Sequence, residues 1–138
     1  LMEARNHSDL ARRLDAAAQG RFGLAGAAIA LEKPGGVPFG WRALDCGAVD
    51  NLLGEHGLTW LGPAFPELDL FGAAAEGVAS VALVRMSLNA PGDEAPRAAL
   101  CAFGSSEDDG FTPAMGCELV AFVARVVERM AERWPVLQ

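Results

Sequence analysis

The sequence predicts an α+β domain, an antiparallel β-sheet with the N- and C-terminal helices packed on one face and a pocket-forming loop region on the other. Three observations carry this. Apolar residues recur at helical spacing near both ends of the chain. Two long apolar runs, 78–88 and 97–103, flank a polar turn that contains Pro91-Gly92. An irregular stretch rich in Gly, Pro and aromatic residues separates them from the first helix. A length of 138 residues fits one domain, 1–138, that can bury a core without metals or disulfides.

The first helix rests on Leu10, Ala11, Leu14, Ala17 and Ala18, which share a face, with Arg5, Asp9, Arg12, Asp15 and Gln19 on the other and Gly20 as a stop. Residues 24–31 read as a strand with small apolar residues on both faces, so the sheet is expected to be covered on both sides here. Residues 34–77 are irregular. Within them Asp45 is a candidate cap for a short helix that Gly54 ends, and 58–61 a short strand. Residues 78–88 and 97–103 form the expected antiparallel hairpin. The last helix starts with Thr112 as N-cap and Pro113 at its first turn. Met115, Leu119, Phe122, Val123, Val126, Val127, Met130 and Trp134 form its apolar stripe. Glu118, Arg125, Glu128, Arg129 and Glu132 take the opposite side, and Pro135 stops the helix. Val120, Ala121 and Ala124 widen the apolar sector beyond what one sheet face covers. A second partner is expected, either the first helix or another subunit.

Composition restricts the role. The 18 acidic residues outnumber 11 basic ones, for a formal charge of -7, and Lys33 is the sole lysine. Direct nucleic-acid binding is not expected, because it requires Lys and Arg gathered on one face. No apolar run approaches the ~20 residues that span a bilayer, and no secretory signal pattern is present. Cys46, Cys101 and Cys117, odd in number and widely spaced, fit the reducing cytoplasm rather than a disulfide framework.

Candidate sites follow from residue type. Trp41, Trp60, Phe65 and Phe71 are expected to line an apolar ligand pocket or to form a second core under the long loop. Arg85 interrupts an apolar strand, so its charge must reach solvent, an acidic partner or a bound anion. Gly104-Ser105-Ser106, with Asp108 and Asp109, reads as a turn rather than a phosphate loop, since no Gly-x-x-x-x-Gly-Lys pattern accompanies it. His56, with Glu55 and Asp45, reads as a solvated loop residue, and His7 as surface or disordered. No Cys-x-x-Cys or His-x-x-x-His spacing supports a zinc site. Cys117, in the first turns of the last helix, is the best placed of the cysteines for a lowered pKa.

The element order, with Gly104-Ser105, Asp108-Asp109, Phe111, Pro113, Met115 and Gly116, resembles the bacterial domain-of-unknown-function 484 family, a GAF-like group. Leu70-Phe71-Gly72 and the strand from Val78 fit the same pattern. Cys101, in a strand that is usually plainly aliphatic, and Cys117, after Met-Gly, depart from it. The resemblance implies a GAF-like fold with a ligand pocket, and a longer helical N-terminus upstream of Leu1. The cyclic-nucleotide Asn-Lys-x-Asp-Glu pattern of some GAF domains is absent, as are an obvious bilin-attachment cysteine and a well-placed haem histidine, so no cofactor is expected.

The expected function is a non-enzymatic small-molecule-sensing or regulatory module, homodimeric through its terminal helices. The alternatives are a ligand-free protein-interaction scaffold and a cysteine-dependent reductase, as some GAF-like enzymes are.

Overall fold

A computed structural model describes residues 4–21, 23–33, 36–38, 40–55, 57–63, 78–89, 96–107, 111 and 118–134. Their order is α1 (His7–Arg21), β1 (Gly26–Glu32), β2 (Arg42–Leu44), α2 (Ala48–Leu53), β3 (Thr59–Pro63), β4 (Ser80–Leu88), β5 (Arg97–Ser105) and α3 (Glu118–Ala131). The strands form one sheet in the order β2-β1-β5-β4-β3. The architecture is α+β, as expected, and compatible with a GAF-like domain.

The sheet is mixed rather than purely antiparallel. β4 and β5 pair antiparallel along their whole length, from Ser80 opposite Ser105 to Leu88 opposite Arg97, which is the expected hairpin. β1 lies antiparallel on the other side of β5. β2 is parallel to β1, with Ala30 opposite Arg42. Three residues with an exposed Arg42 are too short to show strand periodicity in sequence.

Alternation along each strand sorts the side chains between two cores. Ala27, Ile29, Leu31, Leu61, Ala82, Val84, Met86, Ala99, Cys101 and Phe103 point to the face covered by α1 and α3. Ala30, Val81, Leu83, Leu100 and Ala102 point to the other face, where Val49 of α2 packs on them. Leu24–Leu31 was expected to be apolar on both sides for this reason, although the strand begins two residues later, at Gly26. Ala25 still hydrogen-bonds across to the Gly104 carbonyl at 2.8 Å.

α1 begins where the Asn6 side-chain oxygen accepts the Asp9 N–H at 2.8 Å, the bond expected of a helix cap. It buries Leu10, Leu14 and Ala18 completely. Asp15 reaches past its end, and its Oδ1 accepts the Ala27 N–H at 3.0 Å. Gly26 leaves room for that carboxylate, since a Cβ there would lie 2.9 Å from it. α3 buries Val123, Ala124, Val127, Met130 and Ala131. Both terminal helices therefore lie on one face, as the sequence predicts. The expected start of α3 at Thr112 and Pro113, and its stop at Pro135, lie outside the described residues.

Two assignments on α3 change. Phe122, expected in the apolar stripe, is 66% exposed. Arg125, Glu128 and Glu132, expected on the solvent side, are bonded to β4. The reason lies in strand length. β3 pairs with β4 only as far as Val84, so among the described residues the outer edge of 85–89 has no neighbouring strand. The Arg85 N–H reaches the Leu58 carbonyl at 2.8 Å. Beyond it, Arg125 donates to the Arg85 carbonyl at 2.6 Å, Glu128 accepts the Ser87 N–H at 2.8 Å, and Glu132 accepts the Asn89 N–H at 3.0 Å. Four strand residues advance ~13 Å and seven helical residues ~10 Å, so side chains at 125, 128 and 132 can follow alternate strand positions. Backbone groups left unpaired at an edge need such partners.

Candidate functional site

The face opposite the terminal helices is covered, among the described residues, by α2 and Trp60. α2 has only six residues, too few to be stable alone in water, and the sheet fastens it at both ends. Its N-terminus is not capped by Asp45, as the sequence suggested. The chain enters through Gly47 at φ 88°, where no side chain of the turn bonds the helix. The cap comes from β1 instead. Glu32, 9% exposed, accepts the Gly47 N–H through Oε1 at 2.9 Å and the Val49 N–H through Oε2 at 2.7 Å. Asp45 is left almost fully exposed, 3.8 Å from Lys33. A carboxylate at a helix start satisfies orphan N–H groups and opposes the positive end of the helix dipole.

Arg85 fastens the other end. Its side chain projects from β4 onto the α2 face. Nη1 donates to Asp50 Oδ1 at 2.5 Å, Nε to the Gly57 carbonyl at 2.7 Å, and Nη2 to the Gly54 carbonyl. Gly54, at φ 80°, ends α2 as expected. Gly57 is needed for close approach, because a Cβ there would lie 1.9 Å from the Leu53 carbonyl oxygen. A guanidinium beside the last carbonyls of a helix suits the negative end of its dipole. The charge that had to leave an apolar strand is therefore compensated by α2 itself.

The candidate pocket residues separate. Trp60 belongs to the core under α2, its ring lying over Gly62, where an added Cβ would come within 2.9 Å of it. Arg85 shares that face. Trp41 lies across the sheet in the helix-side core, 6% exposed. Phe65 and Phe71 fall outside the described residues, in the connection that leaves β3 at Pro63 and returns opposite it at Ser80.

Trp41 packs with His7, which is buried rather than at the surface or disordered. Trp41 Nε1 donates to the His7 carbonyl at 2.8 Å, and the imidazole meets Trp41 and Trp134 edge to face at 5.2 and 5.4 Å. His7 Nε2 donates to the Ala131 carbonyl at 2.9 Å, which places its proton on Nε2, since a carbonyl only accepts. The start of α1 is thus tied to the end of α3. Burial lowers the His7 pKa, and the bond to Ala131 only partly opposes this. Nothing in a lone His at position 7 signals such a role.

Cys101 is completely buried, and desolvation pushes its thiol up, with Arg125 only partly opposing. A protonated, inaccessible thiol is a poor nucleophile. Cys46 is exposed, and Cys117 and His56 lie outside the described residues. Among the described residues no three His, Cys, Asp or Glu side chains are grouped to hold a metal ion, and no helix is long and apolar enough to cross a membrane.

A polar groove of about 520 Å³ runs along the start of α1, lined by Arg5, Asn6, Ser8, Asp9, Arg12 and Arg13. Asp9 is its hub. It accepts from Arg13 at 3.0 Å, from the Arg5 N–H at 3.0 Å and from Arg12. These bonds, Arg13 first, hold its carboxyl down at about 2.

No curated protein matches the chain. A family model described as "Protein of unknown function, DUF484" matches residues 1–136, nearly the whole sequence, and the chain belongs to that family.

Proposed function

We propose that this chain is a non-enzymatic regulatory module that senses a small molecule on the α2 face of its sheet. The observation that supports this is the unequal cover of the two faces among the described residues. One is closed by two long helices through apolar packing. The other carries a six-residue helix held at its ends by Glu32 and Arg85. Polar fastenings with exposed members, such as the Asp50–Arg85 pair, are individually weak and exchangeable. A ligand acid group would replace Asp50 on Arg85, and the ligand's apolar part would lie against Trp60; Phe65 and Phe71, the other aromatic candidates, lie outside the described residues. Trp41 would serve the joint between α1 and α3. The reading includes association of two copies through the terminal helices, for which Phe122 offers an exposed apolar group.

Native mass spectrometry of gently purified protein tests both parts. A retained metabolite that is lost in Trp60→Ala and Arg85→Gln supports the reading. Ligand-free protein whose melting temperature no metabolite in a broad set of organic acids raises would overturn the sensing role. A monomer by sedimentation at high concentration would remove the dimer.

The second reading is a ligand-free interaction scaffold. It is favoured by the dryness of the core beneath α2, where Val49, Val81, Leu83 and Leu100 are all fully buried. Under it, Trp60→Ala lowers stability without changing any bound mass.

A further inference from the structure

We infer that Arg85 couples the two faces of the sheet, so that the fastening of α2 sets how tightly α3 holds the free edge of β4. The inference rests on the proposed sensing site, because it gives the route by which an event there would reach the terminal helices.

One residue is bonded in both directions. The Arg85 side chain holds α2 through Asp50, Gly54 and Gly57 on one face. Its carbonyl receives Arg125 of α3, which packs on the other. Arg85 also stands at a mechanical boundary. Through Val84, β4 is held between β3 and β5; after Val84, among the described residues, only β5 remains as a neighbouring strand. Among the described residues, the Arg85 N–H to Leu58 is the last backbone bond on the β3 side. Past it, the outward amides of Ser87 and Asn89 depend on Glu128 and Glu132.

Arg125 ties the system together, since it also meets Glu128 at 3.3 Å while holding the Arg85 carbonyl. When the guanidinium of Arg85 loses its α2 partners, the half of β4 beyond Val84 is free to twist about its remaining β5 pairing. The Arg125, Glu128 and Glu132 bonds must then lengthen or shift. Pairing with β5 limits the motion to a twist, so the effect is a change in edge protection rather than a displacement of α3. A coupling claim needs an element with two states that both sites bias; that element is residues 85–89 of β4.

The test is amide hydrogen exchange on the unliganded full chain, wild type against Asp50→Asn and Arg85→Lys. Asp50→Asn keeps side-chain size and Arg85→Lys keeps the charge, while both weaken the hold on α2. The expected result is about five- to tenfold faster exchange at Ser87 and Asn89, the low end of ordinary coupling. Met86 and Leu88, whose amides face β5, should be unchanged. Adding Glu128→Gln should give a less than multiplicative further increase at Ser87. Unchanged Ser87 and Asn89 exchange would overturn the inference. So would equal acceleration of all four amides, which reports general loosening, or fully multiplicative effects. No ligand enters the experiment, so its failure leaves the sensing site standing. Conversely, a protein that retains no metabolite leaves the coupling standing.

Discussion

The two faces of the sheet are closed by different forces. On the α1 and α3 side, Leu10, Leu14, Ile29, Phe103 and Val127 are fully or nearly fully buried in one apolar mass. Burial of this kind stabilises each large side chain by roughly 1.5–3 kcal/mol. On the α2 side the apolar core is smaller, built on Val49, Val81, Leu83 and Leu100, and a short helix over it is located by Glu32 at one end and Arg85 at the other. Apolar packing is non-directional and hard to undo in parts. Hydrogen bonds to charged groups are directional and separable, and a pair with an exposed member, such as Arg85 with Asp50, is worth only roughly 0.2–1 kcal/mol. One protein thus has a face suited to permanence and a face suited to change.

Substitutions can break or sharpen that contrast. The largest effect is expected from Phe103→Ala, which empties the centre of the helix-side core and should cost about 3–5 kcal/mol, read as a lower urea midpoint in a single cooperative transition. Glu32→Ala should cost about 2 kcal/mol, because it strips the Gly47 and Val49 N–H groups of their acceptors in a partly buried place. Its signature is local, namely faster amide exchange in α2 with the β4–β5 hairpin still protected. If Glu32→Ala instead unfolds the whole domain in one step, the α2 face is not a separable unit. Val49→Ala removes two methyl groups beneath α2 and should cost about 1.5 kcal/mol, at ~0.8 kcal/mol per group.

A smaller effect depends on pH. His7 has a lowered pKa in the folded chain, so the unfolded chain takes up its proton more readily. The stability contribution of this group is therefore fully present well above 6.5 and declines as pH falls through that value. Thermal melts between pH 7.5 and 5 should show a steeper acid decline in the wild type than in His7→Gln, whose amide can still donate to Ala131. Parallel slopes would remove His7 from the pH response. The smallest expected change is in Phe122→Ser, within about 0.5 kcal/mol for an exposed side chain. A shift in sedimentation with no change in melting would mark Phe122 as part of a subunit contact.

The legible parts of the fold were those with long periodic signals. The β4–β5 hairpin, both terminal helices and the Gly54 stop of α2 follow from runs of residues that repeat at 2 or 3.6. Fixed long-range polar contacts were not legible. Glu32 looks like the ordinary end of a strand, and only folding brings it to a helix start 15 residues away. Arg85 did stand out, since a charge inside an apolar run demands an explanation, yet its partners Asp50, Gly54 and Gly57 lie about thirty residues upstream. The aromatic residues misled in part. Composition grouped Trp41 with Trp60, whereas the sheet runs between them, because nothing in a Gly- and Pro-rich stretch tells which face each ring will meet. On α3 the helical period was right but its phase was incomplete. An unpaired strand edge recruits charged side chains, and β3 ending at Pro63 while β4 continues to Leu88 is a mismatch seen only in register.

That mismatch has a consequence for the protein in a crowded solution. An open strand is a template on which identical chains can stack into fibrils, and β4 is long and apolar enough to seed this. By engaging the Arg85 carbonyl and the Ser87 and Asn89 N–H groups, Arg125, Glu128 and Glu132 take up outward groups that a neighbouring strand would otherwise pair with. The last helix thereby acts as a guard against aggregation, and any variant that weakens it risks insolubility before it loses its fold.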